Sequence, residues 1–278
     1  MFGCFPLHAQ QKVKDAIEFD HLYVVIPDAA YNKILTDTFV LRRFANIDKG
    51  RPRFESIDTA KKEAYFRFED AYFELLSTAN KWEEPVDKVG LGWASNQEGQ
   101  GASIHRLLRK LYGKQAKYVQ EKDSLGQWSW STLFIDAENK ETSSPINYWI
   151  YDYAPAFIQQ IYGRQPGEMD VTGKKYRLKY YAADKLSKRL KRISLYLRPE
   201  KAVELKKWLY GIGYAINENA AGFLAEKEGL VFDVVQHNLL NKLRFIQFEH
   251  NYTAQPQKRY YSENCWLDIQ ENESTWWF

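Results

Sequence analysis

The sequence predicts an α+β protein built from repeated β-α-β-β-β units, and three stretches carry that expectation. Phe19-Asp20-His21-Leu22-Tyr23-Val24-Val25-Ile26 and Ala71-Tyr72-Phe73-Glu74-Leu75-Leu76 both read as apolar strands. Arg192-Ile193-Ser194-Leu195-Tyr196-Leu197, followed by Pro199-Glu200 and the spacing Val203, Leu205, Trp208, Leu209, repeats the strand-to-helix step of the first unit.

In the first unit the strand from Phe19 runs into a helix opened by Pro27-Asp28 and carrying Ala30, Tyr31, Ile34 and Leu35. Proline with an adjacent acid is an ordinary start signal, because the first turn needs no proline N–H and favours negative charge. Strands follow over Leu41 to Ile47, Ala64 to Phe68 and Ala71 to Leu76. The second unit opens at Val89 to Ala94, and Ile104, Leu107, Leu108 and Leu111 have helical spacing that Gly113 ends. A segment around Tyr118, then Trp128 to Ile135 and Ile146 to Tyr153, supplies its strands. In the third unit Gly211-Ile212-Gly213-Tyr214 ends the helix, and strands follow near Tyr214 to Ile216, Phe223 to Ala225, Leu230 to Val235 and Leu243 to Glu249. The predicted organisation is a leader over 1–18, paired units over 19–162, a basic connector over 163–190, a third unit over 191–250 and an aromatic tail over 251–278. The tail ends in Trp276-Trp277-Phe278 and is expected to pack on the body or on a partner, since exposed aromatics of that density are unfavourable.

Composition sets limits on function. With 278 residues, 45% of them hydrophobic and 16% aromatic, the chain can bury a sizeable core. A net charge of +3 is far from the basicity that makes nucleic acid a default partner. No apolar run approaches the ~20 residues of a transmembrane helix. Cys4 and Cys265 make no zinc cluster between them, and no structural disulfide is expected. Met1 to Gln10 is similar to the tail of a bacterial secretory signal with cleavage near Ala9-Gln10, which implies export to the periplasm or medium. The alternative is a leader on a cytoplasmic protein.

The element order, the opening FDHLYVVIPDAAY, the closing AYFELL and the helix exit WLYGIGY together resemble the vicinal oxygen chelate superfamily, and most closely its uncharacterised bacterial glyoxalase-like members. The resemblance covers most of residues 19 to 250, with unit two matched by order more than by sequence. It implies paired units that form cup-shaped mixed sheets, with ligands on the first and last strands of a unit pointing into the cup. His21 and Glu74 fall at those positions in unit one. In unit two the opening strand offers Trp93 and Ser95 and the closing strand offers Asp152, while unit three offers Ser194 and Gln247, which are poor metal ligands.

Strand alternation places His21 with Phe19, Tyr23 and Val25, and Glu74 with Tyr72 and Leu76. A carboxylate among apolar neighbours costs several kcal/mol to bury without compensation, so a cation or an arginine is expected beside Glu74. His21, Glu74 and Asp152, completed by water, suit a divalent metal such as Zn, Mn, Fe or Ni. Arg67, on the preceding strand, is the alternative partner of Glu74 and would orient a substrate anion. Tyr23, Tyr72, Trp93, Trp128 and Trp149 are candidate walls of a small-molecule site, with ordinary core packing as the competing role for each. The expected function is a metal-dependent enzyme acting on a small oxygenated molecule, as isomerase, lyase, dioxygenase or hydrolase, with Glu74 and Arg67 in its chemistry. The rival is a binding protein that uses the same aromatic cup without metal. The third unit either completes a sheet or mediates a homodimer. The tyrosine-containing basic run from Lys174 to Arg192 reads as a solvated linker face rather than a nucleic-acid surface, and no phosphate-binding glycine loop or nucleophile elbow is present.

Overall fold

In the computed structural model the described residues are 7–48, 62–96, 100–113, 116–122, 129–135, 145–153, 177–178 and 180–278. Helix α1 (Leu7–Asp15) leads into β1 (Ile17–Ile26), α2 (Asp28–Ile34), β2 (Asn46–Asp48), β3 (Glu63–Arg67) and β4 (Tyr72–Ser77). There follow β5 (Val89–Ser95), α3 (Gly101–Tyr112), β6 (Ala116–Lys122), β7 (Ser129–Ile135) and β8 (Ile146–Tyr153). These strands make one sheet, in the order β2-β3-β4-β1-β5-β8-β7-β6. A second sheet contains β9 (Ser187–Leu197), β10 (Ala215–Asn219), β11 (Gly222–Lys227), β12 (Leu230–Gln236), β13 (Lys242–His250), β14 (Gln257–Tyr260), β15 (Trp266–Ile269) and β16 (Glu273–Trp277). Its order is β10-β11-β12-β9-β13-β16-β15-β14, and α4 (Pro199–Gly211) joins β9 to β10.

Both sheets are mixed. The central strand β1 runs parallel to β4 and antiparallel to β5, and β9 likewise runs parallel to β12 and antiparallel to β13. A parallel neighbour needs a crossover, which α2 and α4 supply. The four strands β13 to β16 follow one another without a helix, and β13 pairs antiparallel with β16. Two sequence expectations change here. Leu243 to Glu249, read as a closing strand, instead lies at the centre of the second sheet, and the residues read as a tail form its last three strands. Leu41 to Ile47 is also not one strand: Val40–Phe44 forms a π-helical turn that turns Val40 and Phe44 together into the core, and only Asn46–Asp48 pairs.

The two sheets share a continuous hydrophobic core. Phe44, Phe66 and Phe73 from the first half meet the ring of Trp276 edge-on at 5.4–5.7 Å. Trp276 is completely buried and Phe278 packs on it and on Phe73, whereas Trp277 between them is half-buried on the opposite face of the sheet. At the other end Phe19 and Trp93 contact Phe232, and Trp208 of α4 packs on Trp93 and Tyr148. Truncating a core Trp or Phe of this kind typically costs about 3–5 kcal/mol. The far face of the first sheet carries the candidate site.

Candidate functional site

The site begins with an irregularity in β1. Phe19 pairs with Trp93 and His21 with Gly92, so Asp20 is an extra residue in the ladder, a β-bulge. The bulge interrupts the alternation of faces. Phe19 therefore packs in the core against Trp93 and Phe232 rather than beside His21, while Asp20 and His21 end on the same side of the strand.

Asp20 is fully buried and is the hub of a polar network. Its Oδ2 accepts hydrogen bonds from His21 Nδ1 and from the Tyr153 hydroxyl, both at 2.8 Å. Arg177 donates Nη1–H to Asp20 Oδ1 and Nη2–H to Glu18 Oε2, each at 2.7 Å. Glu18 in turn accepts from Asn96 at 2.8 Å. Burial by itself would push the Asp20 carboxyl up. The hydrogen bond from His21 and the Arg177 guanidinium outweigh it and hold the group down at about 2. The Arg177 guanidinium is correspondingly raised, the carboxylates of Asp20 and Glu18 outweighing its own burial.

An ionised aspartate has only lone pairs to offer, so His21 must donate from a protonated Nδ1, and the neutral ring in this seat keeps its lone pair on Nε2. The ring is fixed as well as oriented. It stacks on Tyr72 (4.5 Å, 9°) and, on the other flank, on Tyr151 (5.6 Å, 15°), with Trp149 tilted against it at 5.4 Å. Gly92 makes this approach feasible, because a Cβ there would lie 2.5 Å from His21 Cε1. Gly90 clears the same kind of space for Tyr23 and Trp149. The glycines of Gly90-Leu91-Gly92 are thus packing notches under the site.

The expected residues separate into those on this face and those elsewhere. Tyr72, Tyr23 and Trp149 stand beside His21, and Tyr23 stacks on Trp149 at 5.9 Å. Glu74 is half-buried one cross-strand pair further along, opposite Tyr23 on β1 and Tyr65 on β3. Arg67 is buried among the rings of Tyr72, Tyr65 and Tyr180, its guanidinium carbon 4.6–5.4 Å from their centres. Trp93 is not a wall of the site. It lies on the opposite face of β5, completely buried, and donates its indole N–H to the Tyr214 hydroxyl at 3.0 Å.

Asp152 is also displaced from the expected set. Along β8 the residues Trp149, Tyr151 and Tyr153 face His21, so Tyr148, Ile150 and Asp152 face the other way. There the Asp152 carboxylate accepts from the backbone N–H of Gly101 at 2.7 Å, at the start of α3, where a helix favours negative charge. Trp128 lies outside the described residues. Among the described residues no three His, Cys, Asp or Glu side chains gather as metal ligands, and a Zn, Mn, Fe or Ni centre drawing on His21, Glu74 and Asp152 together does not fit this geometry.

Asp20, Tyr153, Tyr151, Glu18 and Arg177 were not among the expected site residues. Asp20 carried a readable signal: a second ionisable residue in an apolar strand must either face the core at high cost or break the alternation. Arg177 carried none. It lies in a basic stretch that reads as solvated, yet it is only 2% exposed.

The architecture defines an α+β class with two eight-stranded mixed sheets, and the same fold is found in a hypothetical protein from Staphylococcus aureus. That protein is 13% identical, with a TM-score of 0.54 over 88% of this chain and 95% of the other. The likeness concerns fold alone. Residues 19–278 match the model of the Family of unknown function (DUF5829), and the chain belongs to that family. Among curated proteins no relative matches. An extradiol ring-cleaving dioxygenase from B. fuscum is similar at a TM-score of 0.39 and 12% identity, over 78% of this chain and 53% of the dioxygenase. A halotolerant catechol dioxygenase gives 0.41 and 11%, over 84% and 67%. These two values lie below the level at which a common fold is established.

Proposed function

We propose that this chain is a member of the vicinal oxygen chelate superfamily whose first sheet binds a small oxygenated molecule and moves a proton with His21. The parallel pairing of the opening strand with the fourth strand, in both β1–β4 and β9–β12, supports the superfamily reading. The observation that carries the functional one is the 2.8 Å contact between His21 Nδ1 and Asp20 Oδ2.

In this reading Nε2 is the proton acceptor. Asp20 holds the required tautomer and stabilises the imidazolium that forms when Nε2 takes a proton. Arg177 keeps Asp20 ionised and fixed, and Tyr153 fills its remaining acceptor position. Tyr23, Tyr72 and Trp149 give the substrate flat apolar walls. Arg67, held among tyrosine rings, supplies positive charge toward a developing enolate or a substrate anion.

The test is hydrogen–deuterium exchange at carbon. Small carbonyl compounds such as pyruvate, acetoacetate and dihydroxyacetone are incubated in D₂O with wild-type protein and with a folded His21→Gln variant, and the α-protons are followed by NMR. Exchange accelerated by the wild type and lost in His21→Gln supports the proposal. Equal rates with the two proteins, or rates no faster than buffer, would rule out proton transfer by His21 on this substrate class.

A further inference from the structure

The second sheet carries a different kind of site on the face turned away from the core. On β9, β13, β15 and β16 the buried residues Leu195, Ile246, Leu267 and Trp276 point into the core, so their alternating neighbours point outward. Those neighbours include Tyr196, Phe245, Trp266 and Trp277, all half-buried. Trp266 and Trp277 are directly opposed across two strands and stack at 5.5 Å with an interplanar angle of 12°. Phe245 lies 4.8 Å from Trp277 on its other side.

Arg244 is inserted into this row. A register shift in β13 between Leu243 and Phe245 brings its guanidinium over Tyr196, Phe245 and Trp277, at 5.3, 5.4 and 5.8 Å from their ring centres. Among the described residues its guanidinium has no carboxylate and no hydrogen-bond acceptor, only these rings. The polar side chains beside it are already committed. Gln247 donates to Glu273 at 2.8 Å, Ser194 donates to Asp233 at 3.2 Å, and Lys242 donates to the Phe278 carbonyl at 3.2 Å.

We propose that this row is a binding site for a small aromatic anion, its ring laid along the indoles and its carboxylate or phosphate on Arg244. A planar guanidinium pairs two-pronged with either group, and a partly desolvated one gains more from the pairing than an exposed one. The stacked indoles offer π-surface in line with it. A neutral sugar would demand uncommitted amides and acids along the row, and the neighbouring Gln247 and Asp233 are engaged. The site is separate from His21, which lies on the other sheet.

The probes are benzoate and phenyl phosphate, with benzamide as the neutral control. Binding is followed by calorimetry and by the indole N–H resonances of Trp266 and Trp277, in wild type, Arg244→Gln and Arg244→Lys. The expected result is saturable binding of at least one anion at millimolar concentration or below, none of benzamide, and an affinity reduced roughly tenfold or more in Arg244→Gln. Arg244→Lys should retain part of it, since charge remains and the two-pronged geometry is lost. The proposal is overturned if neither anion shifts the indole resonances, if benzamide binds as well as benzoate, or if folded Arg244→Gln binds like wild type. Self-association that protects the same indoles would also overturn it, by assigning the face to a second copy of the chain.

Discussion

Asp20 and His21 are consecutive residues of one strand, yet Nδ1 of His21 lies 2.8 Å from Oδ2 of Asp20. Neighbours in a regular strand point to opposite faces, so this contact exists only because the bulge at Asp20 absorbs one residue of register. The arrangement buries a carboxylate completely and compensates it from three directions, by His21, Tyr153 and Arg177. Such a network is specific rather than cheap. Well-packed apolar residues often stabilise a fold as much, whereas breaking one partner of a buried pair is severe.

Asp20→Asn should therefore destabilise the protein by about 2–3 kcal/mol, because the buried Arg177 guanidinium loses one of its two carboxylates and keeps only Glu18. Urea unfolding measures that loss. The more discriminating readout is the tautomer of His21 in ¹⁵N-histidine spectra, where the wild type should hold the proton on Nδ1 and the variant should show a mixture. A wild-type ring protonated on Nε2 instead would remove the basis for calling Nε2 the acceptor.

The pH dependence of stability should carry two contributions of opposite sign. Asp20 titrates at about 2 in the folded chain against about 3.9 unfolded. Its contribution, about 2–3 kcal/mol, is present above pH ~4 and disappears as the pH falls toward 2. Asp70 behaves the other way. Burial pushes its carboxyl up to about 6, against the pull of the Leu190 N–H, its own backbone N–H, Arg177 and Arg189. Asp70 lines a cavity of about 470 Å³ with Glu18, Glu69, Lys227 and Glu228 as well as the two arginines. A raised acid is stabilising while protonated, so stability is lost as pH rises from ~4 through 6.

Asp70→Asn keeps an acceptor for Leu190 and removes that penalty. The variant should match the wild type near pH 4 and exceed it by about 1–2 kcal/mol above pH 7, after allowance for solvent screening. Parallel denaturant titrations across this range test it, and a constant offset between the two proteins would contradict the assignment to Asp70.

Much of the fold was legible because period-two patterning and helix signals are local: β1, α2, β4, α3 and α4 all fall where their residues place them. The site was less legible, for two physical reasons. A bulge changes which residues share a face without changing composition, so Phe19 read as a neighbour of His21 when it belongs to the core. On β5, Gly90 and Gly92 are the residues turned toward the site, while Trp93, the larger and more suggestive side chain, fills the space beneath. Arg177 joins Asp20 across a long stretch of sequence, a pairing that no local pattern encodes.

The reassignment of Trp93 can be checked directly. Trp93→Phe removes the N–H that Tyr214 accepts at 3.0 Å and leaves a small void, so it should cost about 1–3 kcal/mol in thermal or denaturant unfolding. It should leave the His21 resonances in place. If His21 shifts while stability is unchanged, Trp93 belongs to the site after all.

Gly92 gives the sharpest test of how the site is held. A methyl group there would approach His21 Cε1 to 2.5 Å and Nδ1 to 2.8 Å, well inside contact distance. The ring is pinned by Tyr72, Tyr151 and Asp20, so it has little room to yield. Gly92→Ala should cost about 1–3 kcal/mol by overpacking and should displace the ring from Asp20. His21→Ala removes the obstacle at the price of its own contacts. In the double variant the new methyl occupies part of the space that the imidazole vacates, so the combined loss should fall short of the sum of the single losses by about 1 kcal/mol or more. Additive losses would mean that the ring and the glycine do not oppose each other, and that the tight seat of His21 is not what makes glycine necessary at position 92.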